Sequence, residues 1–225
     1  MEKKRGSKFF AAVGLSLVMA LPFTVGCQKE TVVSKKDIRN SNAIDTDKHY
    51  NTSINYIESG HLEEAVEPLK EYVSTKPDDA EMYCNLGFVY IDLGRYREAI
   101  APLKKAISIE PTLAEAHCNL GIAYIGLDRL EEATESLERA VSLKPDYAEA
   151  QGKLGLAYIM LGQCEQAVGP LKQAISLKPD YAGAYFGLGA AYAKLGNREP
   201  ALEQYEMLKT LDGKMAAVFM RELNR

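Results

Sequence analysis

A period of 34 residues constrains this chain more than any other feature. Gly87, Gly121, Gly155 and Gly189 recur at that interval, each directly after a leucine, and Tyr90, Tyr124, Tyr158 and Tyr192 follow three residues behind them. Ala99, Ala133, Ala167 and Ala201 keep the same register, as do Ala106, Ala140 and Ala174, and then Pro111, Pro145 and Pro179. Self-similarity at this spacing is the mark of an array in which each repeat is one supersecondary element that must stack on its neighbours to bury its apolar face.

Counting positions from Ala80, the repeats run 80–113, 114–147, 148–181 and 182–215, preceded by a degenerate one at 46–79 that keeps Tyr56, Gly60, Ala65 and Pro77. Glycine at position 8 and alanine at position 20 remove bulk where two antiparallel helices cross, so their backbones can approach closely. Leu-Gly pairs at 93–94, 161–162 and 195–196 end the first helix of their repeats, because glycine accepts the left-handed conformation that stops a helix; the third repeat has Leu127-Asp128 there. The position-32 prolines end the second helix. Pro68, Pro102 and Pro170 fall early in the second helix, where a proline is tolerated best. The segment after Gly213, with Met215, Val218, Phe219 and Leu223, is a short amphipathic cap assigned to 216–225.

Nearly every one of these positions resembles the tetratricopeptide repeat. The resemblance implies an all-α fold, a right-handed superhelical solenoid of antiparallel helix pairs with about five repeats plus the C-terminal cap. It also implies a non-catalytic scaffold that binds other proteins.

Ahead of the repeats, Lys3, Lys4, Arg5 and Lys8 precede an apolar run from Phe9 to Ala20, the layout of an export leader. The run is short of the roughly 20 residues of a bilayer span, and Pro22 interrupts it. The residues Phe23-Thr24-Val25-Gly26-Cys27-Gln28 resemble the lipobox of bacterial lipoproteins, which implies that Cys27 carries the lipid; Thr24 departs from the leucine that motif prefers. An ordinary cut near Gly26 and an uncleaved anchor over Phe9–Gly26 remain open. Residues 1–26 are thus expected to be a signal peptide. Residues 27–45, polar and without an apolar helical face, are expected to be a flexible tether with a reach of about 20–25 Å. The expected location is a membrane-anchored lipoprotein facing the periplasm, with inner and outer membrane both open.

Composition narrows the chemistry. The chain has 27 Lys and Arg against 31 Asp and Glu, a net charge of −4 that becomes −7 (23 against 30) once residues 1–26 are removed. No basic field gathers phosphates, so nucleic acid is not an expected partner. His49, His61 and His117 have no metal-ligand spacing, no Cys-x-x-Cys occurs, and Gly187-Leu188-Gly189 lies inside a repeat helix rather than in a phosphate loop. No cofactor, metal or small-molecule substrate is expected. Cys84, Cys118 and Cys164 are expected to be free thiols, because equivalent positions of stacked repeats stand too far apart for a disulfide.

In the family that the repeats resemble, the first helices line a concave groove through positions 2, 5, 9, 12 and 13. Carried over, position 9 contributes Ile54, Phe88, Ile122 and Leu156, and position 12 contributes Ile57, Ile91, Ile125 and Ile159. Position 5 adds Tyr50, Cys84, Cys118 and Phe186, and position 2 adds Glu81, Glu115 and Glu149 as an acidic rail. Such a surface suits an apolar and basic peptide or helix. Asn85 and Asn119 match part of the clamp some members use for a terminal carboxylate, but Glu115 and Glu149 stand where that clamp needs lysine. The expected partners are other envelope proteins, through the groove, and a membrane, through the lipid on Cys27. A role as adaptor or regulator of a cell-wall enzyme is the second reading.

Overall fold

The computed structural model describes residues 43–224, with side chains from Lys48 onward. Among these residues the structure is entirely helical: α1 (Ala43–Glu58), α2 (Leu62–Thr75), α3 (Ala80–Asp92), α4 (Tyr96–Ile109), α5 (Ala114–Gly126), α6 (Leu130–Leu143), α7 (Ala148–Met160), α8 (Cys164–Leu177), α9 (Ala182–Lys194), α10 (Arg198–Leu211) and α11 (Gly213–Leu223). They form two compact units, one reaching Leu127 and the other starting at Asp128. In unit one, α1 pairs with α2 and α3 with α4, and α5 packs against both α3 and α4. In unit two, α7 pairs with α8 and α9 with α10, while α6 packs on α7 and α11 on α10 and α9.

The small residues act where the period places them. A Cβ on Gly87 would lie 2.4 Å from Cγ of Leu103, and one on Gly155 would lie 2.4 Å from Cγ of Leu171. Glycine is therefore what lets the position-24 leucine of the second helix seat against the first. Ala99, Ala106, Leu103, Ala167, Ala174 and Leu171 are buried in the resulting cores.

The first helices end as expected. Gly60, Gly94, Gly162 and Gly196 all have φ between 71° and 78°. At Gly94 the amide donates to Ile91 O at 2.8 Å and the next amide, of Arg95, donates to Tyr90 O at 2.7 Å. These paired reverse bonds satisfy carbonyls that the helix end leaves open. In the third repeat Asp128 takes the same left-handed conformation, at φ 58°, an option open to a short polar side chain.

Two boundaries differ from the expected ones. The helix α1 starts at Ala43, three residues inside the stretch assigned to the tether. The cap helix starts at Gly213 rather than 216, because the Asp212 carboxylate accepts from the amides of Lys214 and Met215 at 3.0 and 2.9 Å and so fixes its first turn. The early prolines also sit deeper than expected. Pro68, Pro102 and Pro170 are each the seventh residue of their helix, past the four free amides, so each leaves one carbonyl four residues back without its helical donor.

Candidate functional site

The first helices of unit one carry the residues expected to meet a partner, and packing divides them into two groups. Ile54, Cys84, Ile91, Cys118, Ile122 and Ile125 are core residues, with Ile91 and Ile122 at 2% exposure and Cys118 at 0%. They are a correction to the expected lining. First helices pack directly on one another, as α3 does on α5, and Cys84 and Cys118 at position 5 are buried. Tyr50, Ile57, Glu81, Phe88 and Glu115 remain partly exposed, so the accessible face is narrower than a double row of isoleucines.

Aromatic and acidic groups organise that face. The Tyr50 ring lies 5.7 Å from the Tyr72 ring, and Tyr72 in turn donates its hydroxyl proton to Asp79 Oδ2 at 2.8 Å. Asp79 Oδ1 accepts from the Met82 amide at 3.1 Å, which caps α3 and fixes the carboxylate at the start of that helix. The Tyr50 phenol is held above its ordinary pKa, first by burial and then by the carboxylates of Glu81, Asp79 and Glu58. The charged groups acting on it are all anionic. The Asn119 amide donates to Cys84 Sγ at 3.5 Å, and the Asn85 amide to Met82 Sδ at 3.5 Å, so both asparagines are turned to sulfur atoms of α3.

The position-4 histidines are tied to polar neighbours rather than packed as apolar bulk. His49 Nδ1 stands 2.7 Å from Glu71 Oε2, and Pro111 O accepts from His117 Nε2 at 3.0 Å.

In unit two the expected lining is more fully occupied by the chain itself. A Cβ on Gly152 would lie 2.6 Å from the Tyr181 ring, so that ring fills position 5 of α7. Ile159 is buried, and the Phe186 ring meets Phe219 of the cap edge-on, with centroids 5.6 Å apart. Of the expected residues there, Leu156, Glu149 and Phe186 keep partial exposure. Tyr181 has no place in the expected lining, and Phe219, expected in the cap, reaches it from there. A signal existed, since Phe219 lies 34 residues after Tyr185 and Ala216 lies 34 after Ala182.

Cys84, Cys118 and Cys164 are buried thiols that form no disulfide among the described residues. Burial pushes the Cys164 thiol up, and it pushes the nearby Lys194 amine down while Lys194 Nζ donates to Ile159 O at 3.3 Å. Such a thiol stays protonated and unreactive. Among the described residues no three His, Cys, Asp or Glu side chains converge as a metal ion would need, and no helix is long and apolar enough to cross a membrane. Cys27 and the leader lie outside the described residues.

Comparison with known proteins gives one consistent answer. Family models described as TPR repeat match residues 89–128 and 157–196, and models described as tetratricopeptide repeat match 114–147 and 184–212. Among solved structures, one of MamA is 30% identical with a TM-score of 0.67, over 79% of this chain and 96% of that one. A second MamA structure is 32% identical with a TM-score of 0.65, over 73% and 96%. The thermophilic TPR protein TTC0263 of Thermus thermophilus shares the fold at 23% identity, with a TM-score of 0.63 over 80% of this chain and all of that one. No curated protein matches.

Proposed function

The chain belongs to the tetratricopeptide repeat family, and from that premise we propose that it is a non-catalytic scaffold of the bacterial envelope whose unit-one face binds a basic, apolar segment of another protein. The observation that carries this reading is the placement of partly exposed Tyr50 with Asp79, Glu81 and Glu58, with partly exposed Phe88 two helical turns after Glu81 on α3. Aromatic side chains supply contact area at low entropic cost, and a field of one sign selects partners of the other. Glu115 extends the acidic side of the same face.

The test is titration of a labelled amphipathic peptide with lysines on one side and leucines on the other, against wild type and Phe88→Glu. Phe88 is the residue to change because Ile122, buried, would damage the fold if charged. The variant should keep its helical circular dichroism and bind at least about tenfold more weakly, since one aromatic anchor contributes on the order of 1.4 kcal/mol or more. Equal binding by both proteins, or a preference for an acidic peptide, removes this face as the site.

The same proposal places the scaffold on a membrane through lipid on Cys27. Two acyl chains or more anchor firmly because each buried CH₂ contributes about 0.8 kcal/mol. Labelled palmitate should enter wild type and not Cys27→Ala; equal labelling would rule the lipid out and leave the ordinary leader or the uncleaved anchor.

A further inference from the structure

We infer that residues 28–42 dock on the Tyr50–Asp79–Phe88 face of unit one in the same chain and so compete with partners for it. This rests on the reading of that face as the binding site, and it adds a regulator that the chain itself carries.

Three observations support the pairing. The first is chemistry: Lys29, Lys35, Lys36 and Arg39 stand against Glu30 and Asp37 in this segment, and Val32, Val33 and Ile38 are interleaved with them. That is the basic, apolar class for which the face is built. On the other side, the groups that raise the Tyr50 pKa electrostatically are Glu81, Asp79 and Glu58, all carboxylates.

The second is position. The helices α1 and α3 are both first helices of their pairs and start at the same end. The segment therefore enters α1 at Ala43 beside the end of α3 that carries Asp79 and Glu81. Tyr50 lies two turns into α1, and its contact with Tyr72, itself bonded to Asp79, joins the two helix starts into one patch. The third is reach. Fifteen residues span at most about 50 Å, and Phe88 lies seven residues after Glu81 on α3, about 10 Å along the helix, so it is well within range.

The consequence is thermodynamic. A segment joined to the surface it meets is present at millimolar effective concentration. Docking with an intrinsic Kd of about 0.1 mM would then keep the face about tenfold more closed than open, and weaken a partner by the same factor.

The experiment uses the full chain with a photoactivatable residue in place of Ile38, followed by mass spectrometry of the cross-linked peptides. A second protein carries Lys35→Glu, Lys36→Glu and Arg39→Glu as well. Cross-links should form within one chain, to peptides bearing Tyr50, Asp79 or Phe88, and the charge-reversed chain should lose them. That chain, without the photoactivatable residue, should also bind the lysine-leucine peptide about tenfold more tightly than wild type. Cross-links to a second copy or to another surface overturn the inference, as does unchanged peptide affinity after charge reversal. If charge-dependent cross-links map to the face while the peptide binds neither protein, the docking stands and the partner reading falls. If the peptide binds both equally and no cross-link forms, the partner reading stands and the docking falls.

Discussion

Leu171→Ala should cost about 3–5 kcal/mol, read as a fall in the urea midpoint, because the site cannot collapse around the loss. Leu171 is 1% exposed and is seated between two glycines, with its Cγ 2.4 Å from where a Gly155 Cβ would stand and its Cδ2 2.9 Å from that of Gly187. Neither glycine has a side chain to move into the space, so the transfer and cavity contributions both apply nearly in full. Gly155→Ala alone should also destabilise. Its helix-propensity gain of about 1 kcal/mol is outweighed by a methyl group pressed against the leucine, at about 1–3 kcal/mol. The double variant separates packing from propensity. With both changes the new methyl enters the vacated volume, and the combined loss should be at least about 1 kcal/mol smaller than the two single losses together. Strict additivity would show that glycine at position 8 is not there to admit the leucine.

The glycine and leucine of this pair were legible in the sequence because their roles are set within one helix pair. A residue too small for its helix, recurring at a fixed distance from a large one, implies a close crossing whatever lies around it. The helix ends were legible for the same local reason, down to Gly94 and Gly162 with their left-handed φ. The binding face was less so. Whether Ile91 or Phe88 meets solvent depends on how closely the next first helix approaches, as α5 does on α3, and a single sequence carries no sign of that spacing. Ile91 closed into the core while Phe88 stayed partly open. In unit two the Tyr181 ring, from the loop ahead of α9, fills the space beside Gly152. A glycine shows where something must fit without showing what.

Phe219→Ala should release the cap helix. Phe219 is 3% exposed, its Cζ comes within 2.8 Å of a Cβ built on Gly189, and it meets Phe186 edge-on. It thus takes, against the position-8 glycine of α9, the place that Leu171 takes against Gly155. The expected cost is about 3–5 kcal/mol, and it falls on an eleven-residue helix, too short to be stable in water without its packing. What else holds α11 is smaller: Ala216, Met215 and Leu223 in the same cluster, the Asp212 cap at one end, and at the other the Arg198 guanidinium, which donates to Leu223 O at 3.4 Å and Asn224 Oδ1 at 3.2 Å. Amide exchange is the discriminating measurement. In the variant, protection across 213–223 should fall by at least about a hundredfold while α7 and α8 keep theirs, because opening confined to the cap leaves their core of Ile159, Leu171 and Leu188 in place. Uncovered, Tyr185, Phe186 and Ala190 would present an apolar face, and the variant should self-associate as its concentration rises. Uniform loss of protection across unit two would show instead that the last helix is an integral part of one cooperative core.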